Sequence, residues 1–192
     1  MNNSGVQKIV VAVTGASAMV FLHSFLQILE EEKLEVHGIC SESGAKVLEL
    51  ERGMAYTELP AVSQWFDSKD FAAPPASGSA GYDAMVVLPC SMGTLAAIAN
   101  GISSTLVHRA ADVILKERKK LLLVTRETPL NRTHLKNMLA VHDAGATICP
   151  PHPGYYLNPQ TIEDAALTFA WRLGDQLGLE MKGRKRWEGI DV

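Results

Sequence analysis

Two short turns in this 192-residue sequence place small residues and hydroxyl groups directly after apolar runs. Gly15-Ala16-Ser17 follows the β-branched run Ile9–Val13, and Ser91-Met92-Gly93-Thr94 comes shortly after the apolar run Ala84–Leu88. Glycine permits a tight strand-to-helix bend, and the free N–H groups that begin the next helix attract an anion. Neither turn is a G-x-G-x-x-G dinucleotide motif. Phosphate binding and ordinary helix capping by Ser91 both stay open from the spacing alone.

Charged side chains that could hold a phosphate or transfer a proton occur in two further places. Arg109 and Lys116 lie seven residues apart on a predicted helix and therefore share one face about two turns apart. Arg126 and Glu127 closely follow the apolar run Leu121–Val124. The guanidinium of Arg126 could make a forked contact with a phosphate, and the carboxylate of Glu127 could orient that arginine or transfer a proton. The alternatives are a solvated helix face for the first pair and a structural ion pair for the second.

Four other residues are unusual for their predicted surroundings. Tyr156 lies in a loop rich in proline, Arg172 lies on the last predicted helix, and Trp187 lies in a basic C-terminal segment. A tryptophan in such a segment is expected to pack on its own subunit, on a neighbouring subunit or over a ligand. Glu51 ends a predicted helix, where a carboxylate gains nothing from the helix dipole, so we expect it to act elsewhere.

The elements that must position these residues alternate between strands and helices. Strands are predicted at 9–13, 34–39, 84–88, 121–124 and 146–149. Helical patterns lie between them and at 161–177, whereas residues 54–81 show no regular pattern. Such alternation predicts an α/β fold: a Rossmann-like (flavodoxin-like) doubly wound parallel sheet in three αβα layers. Ligands bind at the carboxyl ends of the strands in these sheets, which is where the turns described above lie.

Composition narrows the class of protein further. The chain is 47% hydrophobic and 20% charged, which suits one globular domain over residues 1–192. Because it carries Trp187, we expect the C-terminal tail, from about 180 to 192, to pack over the active site or a neighbouring subunit. A net charge of −3 argues against nucleic-acid binding, and no apolar run reaches membrane-spanning length. Three separated cysteines and six histidines without metal-ligand spacing predict reduced thiols, no metal, and a cytoplasmic location.

Taken in order along the chain, these segments resemble the UbiX/Pad family of flavin prenyltransferases. The matching motifs are Thr14-Gly15-Ala16-Ser17, Ala73-Pro74-Pro75-Ala76-Ser77-Gly78-Ser79, Pro89-Cys90-Ser91 with Gly93-Thr94, Arg109-Ala110-Ala111-Asp112, Leu115-Lys116-Glu117-Arg118, Arg126-Glu127-Thr128-Pro129 and Pro153-Gly154-Tyr155-Tyr156. The resemblance implies a homododecamer with active sites at subunit junctions. It also implies metal-independent transfer of a dimethylallyl group from dimethylallyl monophosphate to N5 and C6 of reduced FMN. The product, prenylated FMN, would serve UbiD-type decarboxylases, which in bacteria supports ubiquinone synthesis.

The same resemblance implies a role for each matching residue. Positions that hold FMN are Gly15, Ala16, Ser17, Ser41, Ser91, Met92, Gly93, Thr94, Arg109 and Arg126. Positions around the prenyl phosphate are Lys116, Arg126, Glu127, Tyr156 and Arg172. Catalytic positions are Ser17 and Glu51 for proton handling, Lys116 and Glu127 at the phosphate, and Trp187 over the allyl group.

Two departures and two competing functions accompany this prediction. Ala18 stands where the family usually has glycine, and Phe71 stands where some relatives have tryptophan. The first competitor is an FMN-dependent decarboxylase of the cysteine type. Its Pro-x-Met-Asn loop is not found here, since the corresponding segment reads Pro150-Pro151-His152-Pro153. The second is a non-catalytic FMN-binding module, which the presence of the charged catalytic set argues against.

Overall fold

A six-stranded parallel sheet organises the computed structural model, which describes residues 5–187. The first four residues of the predicted domain and residues 188–192 of its tail lie outside the described residues. The strand order is β3-β2-β1-β4-β5-β6, and every neighbouring pair is parallel. The strands are β1 Lys8–Val13, β2 Glu35–Cys40, β3 Val62–Asp67, β4 Ala84–Cys90, β5 Lys120–Thr125 and β6 Thr147–Ile148.

Helices cover both faces of this sheet. They are α1 Met19–Glu31, α2 Glu42–Arg52, α3 Met92–Ala99, α4 Leu106–Lys116, α5 Arg132–Asp143 and α6 Ile162–Leu177. Alternate residues of β1 enter opposite cores: Ile9 and Val11 pack with α1, α2 and α6, whereas Val10 and Ala12 pack with α3, α4 and α5. This alternation is that of a strand buried on both faces, and it confirms the predicted three-layer fold.

The region predicted to be irregular, residues 54–81, contains the edge strand β3, so that part of the sequence interpretation was wrong. Its sequence, Val-Ser-Gln-Trp-Phe-Asp, lacks an apolar run because an edge strand is only partly buried. Trp65 pairs with Gly38 of β2, and a methyl group at Gly38 would collide with the indole ring. The other five strands have the flavodoxin order, and β3 extends the sheet to the Rossmann order.

The strand order reverses between β1 and β4, which is where such folds bind ligands. The buried hydroxyl of Thr14 joins the two turns at this point. It donates to the carbonyl oxygen of Pro89 at 2.8 Å and accepts from the N–H of Ser91 at 2.9 Å. The two turns singled out in the sequence are therefore tied together at the carboxyl edge of the sheet.

Within residues 5–187, no helix is both long enough and apolar enough to cross a membrane.

Candidate active site

A cleft of about 620 Å³ opens at the carboxyl edge of the sheet, a size within the usual range for small-ligand sites. Its walls come from the turn after β1, the end of α2, the turn after β5, the loop after β6 and the start of α6. The predicted site residues on these walls are Ser17, Glu51, Arg126 and Glu127. The cleft therefore gathers a hydroxyl, two carboxylates and a guanidinium, which suits proton transfer beside an anionic ligand.

Glu51 lies at the end of α2, but its carboxylate reaches the beginning of α1. The N–H groups of Ala18 and Met19 donate to Oε2 of Glu51 at 3.2 and 2.9 Å. Partial burial opposes ionisation of this carboxylate, but the Ser17 hydroxyl, the two N–H groups and the charge of Arg126 together hold its pKa below the ordinary value. Glu51 gains nothing from the dipole of α2, at whose end it lies, but its carboxylate is stabilised by the positive N-terminal end of α1.

Ala18, where the resemblance led us to expect glycine, begins α1 with a left-handed backbone. Its φ is 111° and its ψ is 31°, and its side chain is buried. Residues with a β-carbon rarely adopt this conformation, because the carbon approaches the following carbonyl oxygen. The backbone at this turn therefore favours glycine independently of any ligand.

The end of β5 presents three side chains of different character to the cleft. Arg126 and Glu127 are exposed, and the N–H of Arg126 donates to the carbonyl oxygen of Cys90 at 3.3 Å. Thr125 is only 3% exposed, and its Oγ1 has no hydrogen-bond partner. The backbone contact with β4 holds this turn at the carboxyl edge, where Arg126 and Glu127 line the cleft.

The turns predicted to hold a phosphate begin helices at neighbouring strand ends. Ser41 accepts from the N–H of Gly44 at 3.0 Å at the start of α2, and Ser91 accepts from the N–H of Thr94 at 3.3 Å at the start of α3. Ser91 therefore does cap its helix. Together with Gly15-Ala16-Ser17 before α1, these turns bring three helix N-termini to one edge, where their dipoles favour an anion. At the start of α1 that anion is the carboxylate of Glu51.

A second hollow, of about 520 Å³, contains three further predicted site residues: Tyr156, Arg172 and Trp187. The rings of Tyr156 and Trp187 meet edge to face with centroids 5.3 Å apart. Sequence reasoning assigned no role to His152, which lines both the main cleft and a smaller hollow beside Tyr156 and Arg172. Its signal in the sequence was its place in the proline-rich loop after β6, at the ligand-binding edge.

Arg109 and Lys116 lie apart from the cleft on α4. Arg109 donates to Asp112 at 2.7 Å and to the carbonyl oxygen of Ala76 at 3.1 Å, whereas Lys116 pairs with Glu117. Lys116 ends α4 just before β5 begins, so it lies at the amino edge of the sheet, opposite Arg126 and Glu127. One subunit therefore does not bring Lys116 to Arg126 and Glu127, and it places Tyr156 and Arg172 in the second hollow and not in the cleft.

Among residues 5–187, no group of three or more histidine, cysteine, aspartate or glutamate side chains is arranged to hold a metal ion.

Comparison with known proteins places the chain among flavoproteins. A family model described as Flavoprotein matches residues 1–168. A probable UbiX-like flavin prenyltransferase from Bacillus subtilis is 42% identical over 188 residues, covering 97% of this chain and 92% of the relative. The flavin prenyltransferase UbiX of Methanocaldococcus jannaschii is 40% identical over 181 residues, covering 94% and 98%.

Solved structures agree with these relatives. A crystal structure of AnUbiX with FMN and dimethylallyl pyrophosphate is 40% identical, with a TM-score of 0.93 over 97% of this chain and 100% of that one. A dodecameric FMN-dependent UbiX-like decarboxylase from Escherichia coli O157:H7 is also 40% identical, with a TM-score of 0.91 over 95% and 100%. The identities and the coverage confirm the resemblance inferred from the motifs: the chain belongs to the UbiX family of flavin prenyltransferases.

Proposed function

We propose that this protein transfers a dimethylallyl group from dimethylallyl monophosphate to N5 and C6 of reduced FMN and so makes prenylated FMN. The observation that carries the proposal is the cleft at the carboxyl edge, where Ser17 and Glu51 face Arg126 and Glu127. A relative of nearly identical fold was crystallised with FMN and a dimethylallyl donor. The chain thus combines a charged proton-handling site with the fold that binds FMN and dimethylallyl pyrophosphate in that relative.

The donor set at this edge fits FMN. The N-termini of α2 and α3 suit its phosphate, whereas that of α1 already holds the Glu51 carboxylate, and Arg126 adds a cation beside the cleft. The residues that would hold FMN are Gly15, Ala16, Ser17, Ser41, Ser91, Met92, Gly93, Thr94 and Arg126, with Arg109 contributed by a neighbouring subunit. When bound, reduced FMN supplies the nucleophilic atoms N5 and C6.

The remaining residues meet the requirements of allyl transfer. Breaking the C–O bond of the prenyl phosphate leaves the electron pair on phosphate, so Lys116, Arg126 and Arg172 would stabilise the growing negative charge. Glu127 would orient these cations, and Tyr156 would contact the phosphate. The π face of Trp187 stabilises positive charge on the allyl group without supplying a competing nucleophile. Ring closure would open the C=C bond of the allyl group, which would take up the proton that N5 loses on alkylation. Glu51, whose charge the Ser17 hydroxyl stabilises, would accept the proton that C6 loses as its new C–C bond forms and would return it to the released phosphate.

The complete site requires more than one subunit. Lys116 lies at the opposite edge of the sheet from Arg126 and Glu127, so a second copy of the chain must supply it. Leu135 and Leu139, one turn apart on α5, are exposed, as expected of a contact face between subunits. The E. coli relative is dodecameric, and we propose a homododecamer here. We further propose a cytoplasmic enzyme whose product passes to a UbiD-type decarboxylase, including that of ubiquinone synthesis.

The cysteine-type decarboxylases share the fold alone. A structure of PPC decarboxylase is 18% identical with a TM-score of 0.64. No observation in the cleft favours that activity, since the loop after β6 reads Pro150-Pro151-His152-Pro153 and has no Met-Asn pair.

The decisive experiment is anaerobic incubation of the purified protein with reduced FMN and dimethylallyl monophosphate, followed by mass analysis of the extracted flavin. We expect FMN to gain one C5H8 unit. A parallel reaction without the prenyl donor controls for other flavin adducts. Recovery of unmodified FMN under verified reducing conditions would contradict the proposed function. A separate measurement of FMN binding by the protein shows whether such a failure lies in the reaction or in binding of the flavin.

A further inference from the structure

The segment that follows α6 docks back onto that helix through a socket at Gly174. A methyl group at Gly174 would collide with the sulfur of Met181, so the absence of a side chain lets the segment lie close to the helix. Leu179 is buried in the core shared by α1 and α6. The stretch 179–187 is therefore attached by specific packing before it reaches Trp187.

Asp175 adds a charged attachment next to this socket. Its Oδ1 accepts from Nη1 of Arg184, and its Oδ2 accepts from Nη1 of Arg172 at 2.7 Å. The Arg184 side chain is only 7% exposed, whereas that of Arg172 is 62% exposed. A buried guanidinium requires a paired carboxylate, so the docked position of Arg184 depends on Asp175.

The same carboxylate also orients Arg172. Asp175 accepts a hydrogen bond from Nη1 of Arg172 alone, so the other N–H groups of this guanidinium stay available for a planar, forked contact with an anion. The hollow beside it is also lined by Lys185 and Arg186, both carried by the docked segment. The hollow therefore holds three cations and one carboxylate, that of Asp175. Lys185 and Arg186 are in place only when the segment is docked, whereas Arg172 belongs to α6.

We propose that Asp175 is a positioning residue that aims Arg172 at the prenyl phosphate and fastens the C-terminal segment through Arg184, so that phosphate binding and segment docking are coupled. The identity of the ligand rests on the proposed function. The coupling rests on the shared carboxylate and on the cations that docking delivers. Thermodynamic linkage requires the effect to be reciprocal: docking strengthens phosphate binding, and phosphate strengthens docking by the same factor.

The test uses the full-length assembled protein and two independent readouts. Trypsin cleavage after Lys182, Lys185 and Arg186, followed by mass analysis, reports segment docking. The KM for dimethylallyl monophosphate and kcat report its effect on the reaction. For Asp175→Asn we expect about tenfold faster cleavage and an increase of about tenfold in KM, each corresponding to a tenfold change in an equilibrium constant. FMN affinity should stay unchanged, because Asp175 does not line the FMN cleft.

Ligand protection measures the coupling directly. Dimethylallyl monophosphate should slow tryptic cleavage of the wild-type segment and have no effect on cleavage of Asp175→Asn. Inorganic phosphate, tested in the same way, should also slow cleavage of the wild-type segment, because the coupling acts through the anion; no protection by either anion would overturn the coupling. Arg184→Gln removes the other member of the buried pair and should speed cleavage in the same way while leaving the Arg172–Asp175 contact in place.

Two control variants separate packing from charge. Gly174→Ala should release the segment by displacing Met181, and combining it with Met181→Ala should restore slow cleavage, since the collision is removed. Glu180→Gln changes an exposed carboxylate in the same segment and should alter neither readout.

The proposal would be overturned if Asp175→Asn were cleaved by trypsin at the wild-type rate and had the wild-type KM for dimethylallyl monophosphate. A raised KM without faster cleavage would overturn the coupling and leave only the orientation of Arg172. Failure of the proposed function is distinguishable: the protein would make no prenylated flavin, yet phosphate would still protect the wild-type segment and not that of Asp175→Asn.

Discussion

Thr14 and Thr125 are equally buried, but their hydroxyl groups are in opposite situations. Each is 3% exposed; Thr14 makes two hydrogen bonds that join the turns after β1 and β4, whereas Oγ1 of Thr125 makes none. Removing a paired buried hydroxyl leaves its partners unsatisfied, whereas replacing an unpaired one with a methyl group of the same shape is nearly neutral. The contribution of each threonine therefore follows from its partners and not from its burial.

We predict that Thr14→Val lowers the free energy of unfolding by about 1–3 kcal/mol, whereas Thr125→Val changes it by less than about 1 kcal/mol in either direction. Urea denaturation of both variants measures the difference. Thr14→Val should also weaken FMN binding, because it loosens the turn at the switch point. Equal destabilisation by the two substitutions would contradict this account.

Ala18→Gly should stabilise the protein. Glycine relieves the left-handed strain at φ 111° but adds conformational freedom to the unfolded chain, so the net gain is roughly 0.5–1 kcal/mol. Ala140→Gly on the exposed face of α5 is the matched control, and it should destabilise by about 1 kcal/mol. Thermal unfolding of both variants checks the opposite signs, and destabilisation by Ala18→Gly would show that the backbone there is unstrained.

At the scale of elements, Glu51 connects the end of α2 to the beginning of α1. Its carboxylate accepts the N–H groups of Ala18 and Met19, so one side chain both begins a helix and faces the cleft. A glutamine can still accept these hydrogen bonds but carries no charge and cannot act as a base. Substitution therefore separates the structural contribution of this position from its chemical one.

For Glu51→Gln we predict retained FMN binding and loss of most ring closure, measured by flavin titration and by mass analysis of prenylated FMN. The pKa of Glu51 is lowered in the folded protein, so its charge stabilises the fold above the ordinary glutamate pKa of about 4.3. That stability is lost as pH falls through the lowered folded pKa. The stability difference between the wild type and Glu51→Gln should therefore be present at neutral pH and disappear in acid.

Glu49→Gln, which changes an exposed carboxylate on the same helix, is the control for the Glu51 substitution and should leave the yield of prenylated flavin unchanged. A normal yield of prenylated flavin from Glu51→Gln would count against the proton-transfer role.

At the scale of the whole molecule, the proposed active site is divided between the two edges of the sheet. Arg126 and Glu127 share the cleft at the carboxyl edge, whereas Lys116 ends α4 at the amino edge. A site assembled from different subunits can be repaired by mixing defective chains, whereas a site within one chain cannot.

We predict that Lys116→Ala and Glu127→Gln chains, each inactive alone, regain part of the activity when co-assembled from differently tagged copies. The regained activity comes from junctions where each chain supplies the residue that the other lacks. Arg126→Ala mixed with Glu127→Gln is the matched control and should stay inactive, because both residues come from one chain. Absence of recovery in the first mixture would contradict a site shared between subunits.

The sequence by itself determined the fold class, the family and the edge where ligands bind. Apolar runs such as Ile9–Val13 alternate with helical patterns, and this alternation requires parallel crossovers that bring the turns after β1 and β4 to one edge. These inferences depend on local periodicity and on the order of motifs, which are properties of neighbouring residues. Strand β3 was missed for the same reason, since a half-exposed edge strand has no apolar run.

The tertiary structure alone decided which residues meet. It paired Glu51 with the start of α1, where the sequence offered only an unfavourable position on α2. It separated Lys116 from Arg126, although both carry charges suited to one phosphate. It also placed His152 on the wall of both the main cleft and the smaller hollow, and it fastened the C-terminal segment to Asp175. These contacts depend on where the crossovers return the chain, and residue spacing does not encode the resulting distances.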